Sequence, residues 1–274
     1  MTKPSAISTQ RYVWRESGIS ESRRSIPEET AIALTYNGGT YAVMMATPQD
    51  LEDFAVGFSL NEGVVSSSEE IESLETLEVN DGIELRMWLS QADADRLSER
   101  RRQMAGPTGC GLCGVDSIVE AMRPATTVGL GRSFLPAQIM NAIESLPSRQ
   151  KLNIETRAVH AAAFWNPEQG IVALREDVGR HNALDKLAGV MARSAARAEG
   201  GMILLTSRVS VEMVQKTAAI GASVMVSVSA PTALAVKMAG SANITLAAIA
   251  RADGFEIFTH PHRILSGEAV HVVA

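Results

Sequence analysis

A chain of 274 residues is long enough to bury a large core, as one domain or two modest ones. Its formal net charge of −6 and aromatic content of 4% argue against a DNA-coating protein or a stacking platform for single strands. No apolar run reaches the ~20 residues that cross a bilayer, and Met1 to Glu16 lacks the basic-then-apolar pattern of a secretory signal, so the expected location is the cytoplasm, with neither nucleic acid nor membrane as partner.

Residues 1 to about 26 are polar and pattern-poor and read as mobile or extended. Thr30 to Tyr36 and Thr40 to Ala46 flank Asn37-Gly38-Gly39, a hairpin signal. Thr47 is expected to cap a helix with Pro48 in its first turn, Leu51, Phe54, Ala55 and Phe58 on its buried face, and Gly63 at its end. A second hairpin spans Leu74 to Val79 and Ile83 to Leu89. Asp93 to Met104 is helical, and its arginines (Arg96, Arg100, Arg101, Arg102) either form a solvated face or supply cations to the adjoining cysteine loop. After the break at Ala105-Gly106-Pro107 comes that loop, Thr108-Gly109-Cys110-Gly111-Leu112-Cys113-Gly114. A short helix over Gly114 to Met122, an irregular stretch and a helix from Pro136 to about Leu146 complete the first half.

The second half alternates strand and helix. Strands are expected at Ala158 to Trp165, Ile171 to Leu174, Met202 to Thr206, Val224 to Ser229, Asn243 to Ile249 and Phe255 to Phe258. Helices are expected at Arg180 to Ala198, Val211 to Ile220 and Thr232 to Met238. The near-continuous apolar strands predict a largely parallel sheet covered on both faces.

Three constellations could carry chemistry. Cys110 and Cys113 are the only cysteines, set among three glycines that give access and freedom to a reactive thiolate. In a reducing compartment such a pair is redox, persulfide or metal chemistry more often than a structural bridge. Half a zinc site is present, but all five histidines lie C-terminal to the cysteines, and the zinc deaminases place theirs upstream. Second, Thr206-Ser207-Arg208-Val209-Ser210 and Ser227 to Thr232 leave strands and open helices, where backbone amides, hydroxyls and Arg208 suit a phosphate or pyrophosphate; ordinary capping also explains them. Third, Arg175 to Lys186 is dense in ionisable residues around a helix start. Asp177 is the expected N-cap, and His181 in the first turn is expected to be neutral, as an acid/base group, a ligand contact or part of a salt-bridged helix start.

Thr108 to Gly114, Val159-His160-Ala161-Ala162-Ala163, Glu176 to Lys186, Ser207-Arg208, Glu212 to Lys216 and Thr259-His260-Pro261 occur together in this order. Through them the chain resembles the FdhD family of formate dehydrogenase accessory sulfurtransferases, from about residue 30 to about 263. The resemblance implies an α/β fold: a cytidine deaminase-like three-layer α/β/α core at 136–274, a smaller α+β subdomain at 30–135 carrying the cysteine loop, and an N-terminal segment at 1–29. It implies a homodimer, and partnership with a cysteine desulfurase, formate dehydrogenase and the molybdenum cofactor. Cys110 would carry a persulfide and Cys113 would resolve or relay it. Sulfur would pass to bis-molybdopterin guanine dinucleotide, held at Ile249-Ala250-Arg251-Ala252-Asp253-Gly254 with Ser207, Arg208 and His181; a guanine nucleotide alone could occupy the same site. No resident metal is implied. Arg157 stands where the family has a small residue. A non-catalytic cofactor chaperone and a zinc-dependent deaminase-like protein are the alternatives.

Overall fold

The computed structural model describes residues 3–104, 123–194 and 196–265. Cys110, Cys113 and the expected helix over 114–122 lie outside them.

Residues 6–27 are extended, and they are paired. Strands β1 (Ala6–Arg15) and β2 (Gly18–Pro27) pair antiparallel along their whole length into a two-stranded ribbon of their own. Their polar residues alternate across both faces, a pattern that is silent when neither face is buried.

Four strands form a small sheet in the order β4-β3-β6-β5: β3 (Thr30–Tyr36), β4 (Gly39–Ala46), β5 (Ile71–Val79) and β6 (Gly82–Leu89). Both expected hairpins are present, joined through a parallel β3–β6 pair. Ile32, Leu34, Ile83, Leu85 and Met87 alternate onto one face and pack against Phe54, Ala55 and Phe58 of helix α1 (Leu51–Asn61). Helix α2 (Gln91–Met104) follows β6 and adds Leu97 to that core. Thr47 does not cap α1. The residue before the helix is Asp50, in the left-handed region at φ 53°, while Thr47 is fully buried and its groups are used elsewhere.

Six strands make the large sheet, ordered β12-β11-β10-β9-β7-β8: β7 (His160–Asn166), β8 (Gly170–Asp177), β9 (Met202–Leu205), β10 (Val224–Ser227), β11 (Thr245–Arg251) and β12 (Gly254–Ile257). The sheet is mixed rather than largely parallel. Only β9, β10 and β11 run together; β7 is antiparallel to both of its neighbours, and β12 is antiparallel to β11. Short turns such as Asn166 to Gly170 return the chain antiparallel, and apolar residues on both faces look the same whichever way a strand points. Helices α5 (Arg180–Ala192), α6 (Val211–Ile220) and α7 (Ala233–Ser241) cover one face, meeting Phe164, Ile203, Leu205, Met225 and Leu246. Helix α3 (Pro136–Ser145) covers the other with Phe134, meeting Trp165, Leu204, Val226 and Ala247. The result is an α/β/α stack of three layers. Helix α5 stops at Ala192, short of the expected Ala198, and a short helix α4 (Lys151–Thr156) precedes β7. Arg157 ends α4 in the left-handed region at φ 59°, a position that favours a small residue.

The two sheets meet where α1 crosses α5 backbone to backbone. A Cβ on Gly57 would lie 1.7 Å from the Asp185 carbonyl oxygen, and one on Gly189 1.9 Å from that of Asp53. Neither obstacle is a flexible side chain, so a methyl group must push the helices apart. Gly57→Ala and Gly189→Ala are each expected to lower unfolding free energy by about 3 kcal/mol or more. Gly200→Ala, whose added Cβ would meet nothing within 4 Å, should change it by no more than about 0.5 kcal/mol. Urea denaturation of the three variants checks both.

Candidate functional site

Most of the ionisable residues between Arg175 and Lys186 prove to be joinery. Asp177, expected as an N-cap, ends β8, and Gly179 is the residue before α5. The Asp177 carboxylate is completely buried and 2.6 Å from the Lys186 ammonium, which is equally buried. It also accepts from the Thr47 amide (3.0 Å), the Gly179 amide (2.7 Å) and Asn182 Nδ2 (3.0 Å). Lys186 donates to the Thr47 carbonyl at 2.8 Å and lies over the Phe54 ring. Burial draws its pKa below the ordinary lysine value. One turn beyond, Asp185 takes both oxygens to Lys216 at 2.6 Å and accepts from Asn61 Nδ2. Glu176 accepts from the amides of Leu152 and Asn153, 2.8 Å each, at the start of α4. These buried groups are all satisfied, Asp177 and Asp185 by lysines and Glu176 by main-chain amides, as burial requires.

Arg180 and His181 are the exception. Both are only partly buried; among the described residues Arg180 Nε and His181 Nε2 have no hydrogen-bond partner, and the Glu212 carboxylate on α6 lies 3.8 Å from His181. Burial, then the charges of Arg180 and Lys216, hold His181 below the ordinary histidine pKa. His160, at the start of β7, is held low by burial and by Arg180. The Arg180 charge thus disfavours protonation of both imidazoles. Arg123, the first described residue after the cysteine stretch, donates to the Asn61 carbonyl, and its own carbonyl accepts from Gln215 Nε2 at 2.6 Å. Gln215 is one helical turn from Glu212, so the chain rejoins the body beside this group.

A cleft of about 520 Å³ opens at the carboxyl ends of the three parallel strands, where ligands of open α/β sheets bind. The end of α3 forms one wall. His160, Thr206, Val228 and the segment Ala250-Arg251-Ala252 form the other. That segment is placed by a bulge in the β11–β12 pairing between Ala248 and Arg251. Within the bulge Ile249 adopts φ 53°, costly for a β-branched residue at about 1–3 kcal/mol and the kind of strain that gathers at binding sites. The Ser229 carbonyl holds its amide at 3.2 Å, and the Arg251 guanidinium donates to the Val228 carbonyl.

Of the residues singled out from sequence, Ala250, Arg251 and Ala252 line this cleft; Ile249, Asp253 and Gly254 shape the turn behind it. Arg208 is exposed and Ser207 is buried, with its hydroxyl donated to the Arg208 carbonyl; neither lines the cleft, and nor does His181. Thr206 belongs to the strand-to-helix turn that the sequence marks as an anion site, whereas sequence reasoning missed His160 as a lining residue. A polar residue opening the apolar strand β7 was the available signal. Among the described residues there is no cluster of three potential metal ligands, and no helix long and apolar enough to cross a membrane.

Fold and cleft together define a three-layer α/β protein with a polar-rimmed cleft at its parallel strand ends. The sequence belongs to the FdhD/NarQ family, whose model matches residues 27–265. It is 50% identical over 256 residues to the sulfur carrier protein FdhD of Agrobacterium fabrum, covering 93% of this chain and 94% of that one. It is 52% identical over 252 residues to that of Brucella abortus, covering 92% and 94%. A crystal structure from Desulfotalea psychrophila, assigned to a putative formate dehydrogenase accessory protein, superposes with a TM-score of 0.74 at 27% identity, over 96% of this chain and all of that one.

The lowered histidines set a pH dependence. Folded pKa values below the unfolded ~6.5 mean that the unfolded chain binds more protons in that window. Stability is full above ~6.5 and falls as pH drops through it toward the folded values. Urea titrations between pH 7.5 and 5.5 should show that decline, and a His160→Asn/His181→Asn double variant should flatten it.

Proposed function

We propose that this chain is a sulfurtransferase serving formate dehydrogenase through its molybdenum cofactor. What supports the reading is identity of about half over nine-tenths of the chain to sulfur carrier proteins, in a sequence whose only cysteines are Cys110 and Cys113. The Cys110 thiolate attacks the terminal sulfur of a cysteine desulfurase persulfide. That S–S bond breaks, the desulfurase cysteine leaves as thiolate, and the new S–S bond is on Cys110. The terminal sulfur then passes to bis-molybdopterin guanine dinucleotide as sulfide. Cys113 closes a disulfide with Cys110 as the sulfide departs, and a cellular thiol reductant reopens it. Such chemistry belongs in the cytoplasm, where thiols are kept reduced.

The cleft fits part of that substrate. Its volume suits one nucleotide portion rather than the whole cofactor. Arg251 supplies a cation at its rim, Thr206 a hydroxyl, and neutral His160 a group that can accept as well as donate. The strained backbone at Ile249 presents residues 250–252 to that ligand.

Incubation with a cysteine desulfurase and cysteine should add the mass of one sulfur atom to the wild-type chain, removable by reductant and absent in Cys110→Ala. A wild-type chain that stays unmodified would overturn the reading. Separately, Arg251→Ala is expected to weaken binding of guanosine diphosphate about tenfold, the worth of one charge-assisted hydrogen bond, measured by isothermal titration.

A further inference from the structure

The cleft at the strand ends is lined by a buried side chain that nothing in the fold uses. Gln150 borders the cavity, yet it is only 5% exposed. It stands between α3 and α4, and its main chain is fixed there. Its carbonyl accepts the Ile154 amide at 2.8 Å, and the Glu176 carboxylate holds the following turn through the amides of Leu152 and Asn153. Among the described residues its carboxamide has no hydrogen-bond partner. A buried amide in that state forfeits the hydrogen bonds it made in water, and beside a cavity it points to an occupant that restores them.

Glu144, in the last turn of α3, lines the same cleft and makes no ion pair among the described residues. Ile143, Leu146 and Pro147 give that wall apolar surface, and Arg251 belongs to the opposite wall. The cleft is thus electrically lopsided: a carboxylate and a free carboxamide on the α3 side, a guanidinium on the strand side. An occupant that suits both carries an anionic group at one end and a flat ring with donors on its edge at the other. A carboxylate only accepts, whereas a carboxamide both donates and accepts. Together they match an edge made of one acceptor and two donors. Guanine presents such an edge in O6, N1–H and its 2-amino group, and a pterin shares it. Adenine and hypoxanthine lack the 2-amino donor.

We propose that Gln150 and Glu144 select a 2-amino-oxopyrimidine base in this cleft. The Gln150 carboxamide donates to the ring carbonyl and accepts from the adjacent N–H, and the Glu144 carboxylate accepts from the exocyclic amino group. Gln150 contributes affinity without choosing, because its amide can turn to pair with hypoxanthine or adenine as well. Glu144 makes the choice, because only a base with the 2-amino group supplies its hydrogen bond. This selection rests on the reading of the cleft as a nucleotide site and names the residues that distinguish one base from another.

Isothermal titration of the full chain with guanosine and inosine diphosphates, which differ only in the 2-amino group, tests it. Wild type should bind guanosine diphosphate about tenfold more tightly, the worth of one charge-assisted hydrogen bond. Glu144→Ala should bring the two affinities together by weakening the first alone. Gln150→Leu, which keeps the bulk of the side chain, should weaken both about tenfold and leave their ratio in place. Its thermal melt should be no lower than that of wild type, because an unpartnered amide leaves a buried position; a merely structural role would lower it. Competition with neopterin separates the two sources of the edge. Displacement of guanosine diphosphate that Glu144→Ala abolishes assigns the subsite to a pterin as well, no displacement assigns it to guanine, and either result upholds the selection. Equal affinity of wild type for the two nucleotides, or a preference that survives Glu144→Ala, would overturn it, while binding that still depends on Arg251 would leave the nucleotide reading standing. Binding of neither nucleotide would overturn both.

Discussion

The buried pairing of Asp177 with Lys186 is the interaction on which the two sheets depend. Each charge alone would be severely destabilising at that depth; removing one partner of such a pair costs about 3–5 kcal/mol. The pair is tolerated because Asp177 has four donors and Lys186 has the Thr47 carbonyl as well. Those contacts join the end of β8 and the first turns of α5 to the segment between β4 and α1. The glycine crossing brings α1 close enough for this network to form, and Asp53, bonded by Arg175 and Arg193, reinforces it on the outside. The large and small sheets are thereby tied to each other around one buried network.

Electrostatics divide the protein into a paired half and an available half. Asp177, Asp185, Glu176, Lys186 and Lys216 are satisfied by one another and by main-chain groups. Among the described residues, Arg180 Nε and His181 Nε2 have no hydrogen-bond partner, while His160 and Arg251 line the cleft. The same dense motif thus locks the fold through Arg175, Glu176, Asp177, Asp185 and Lys186 and leaves Arg180 and His181 outside that network. A composition count cannot tell those two uses apart.

How much of this was legible depended on whether the signal was local. Asn37-Gly38-Gly39 and Asn80-Asp81-Gly82 announced their hairpins because turn chemistry acts over a few residues. The bounds of α6 follow from one apolar face and Gly221 in the left-handed region. In the large sheet the turn Asn166 to Gly170 announced the return strand β8, but the direction of the other strands was not legible, because both faces are buried and no alternation records polarity. Thr47 and Asp177 had the residue types of helix caps, yet their partners lie 130 residues apart in sequence, and tertiary contact overrode local preference. At the site, Ala250, Arg251 and Ala252 were reached through family resemblance; the strain at Ile249 that positions them has no signature in residue type.

Thr47 contributes to the joint mainly through its amide and carbonyl, with only the bond from the Val178 amide made to its hydroxyl. The contact is therefore addressed to the path of the chain more than to the identity of the residue. Exchange of that side chain for another small one would be largely silent, while a single insertion or deletion between Ala46 and Asp50 would carry the amide and carbonyl out of reach of Asp177 and Lys186. A short connection of this kind, ordinarily the part of a protein most forgiving of length changes, is here among the least.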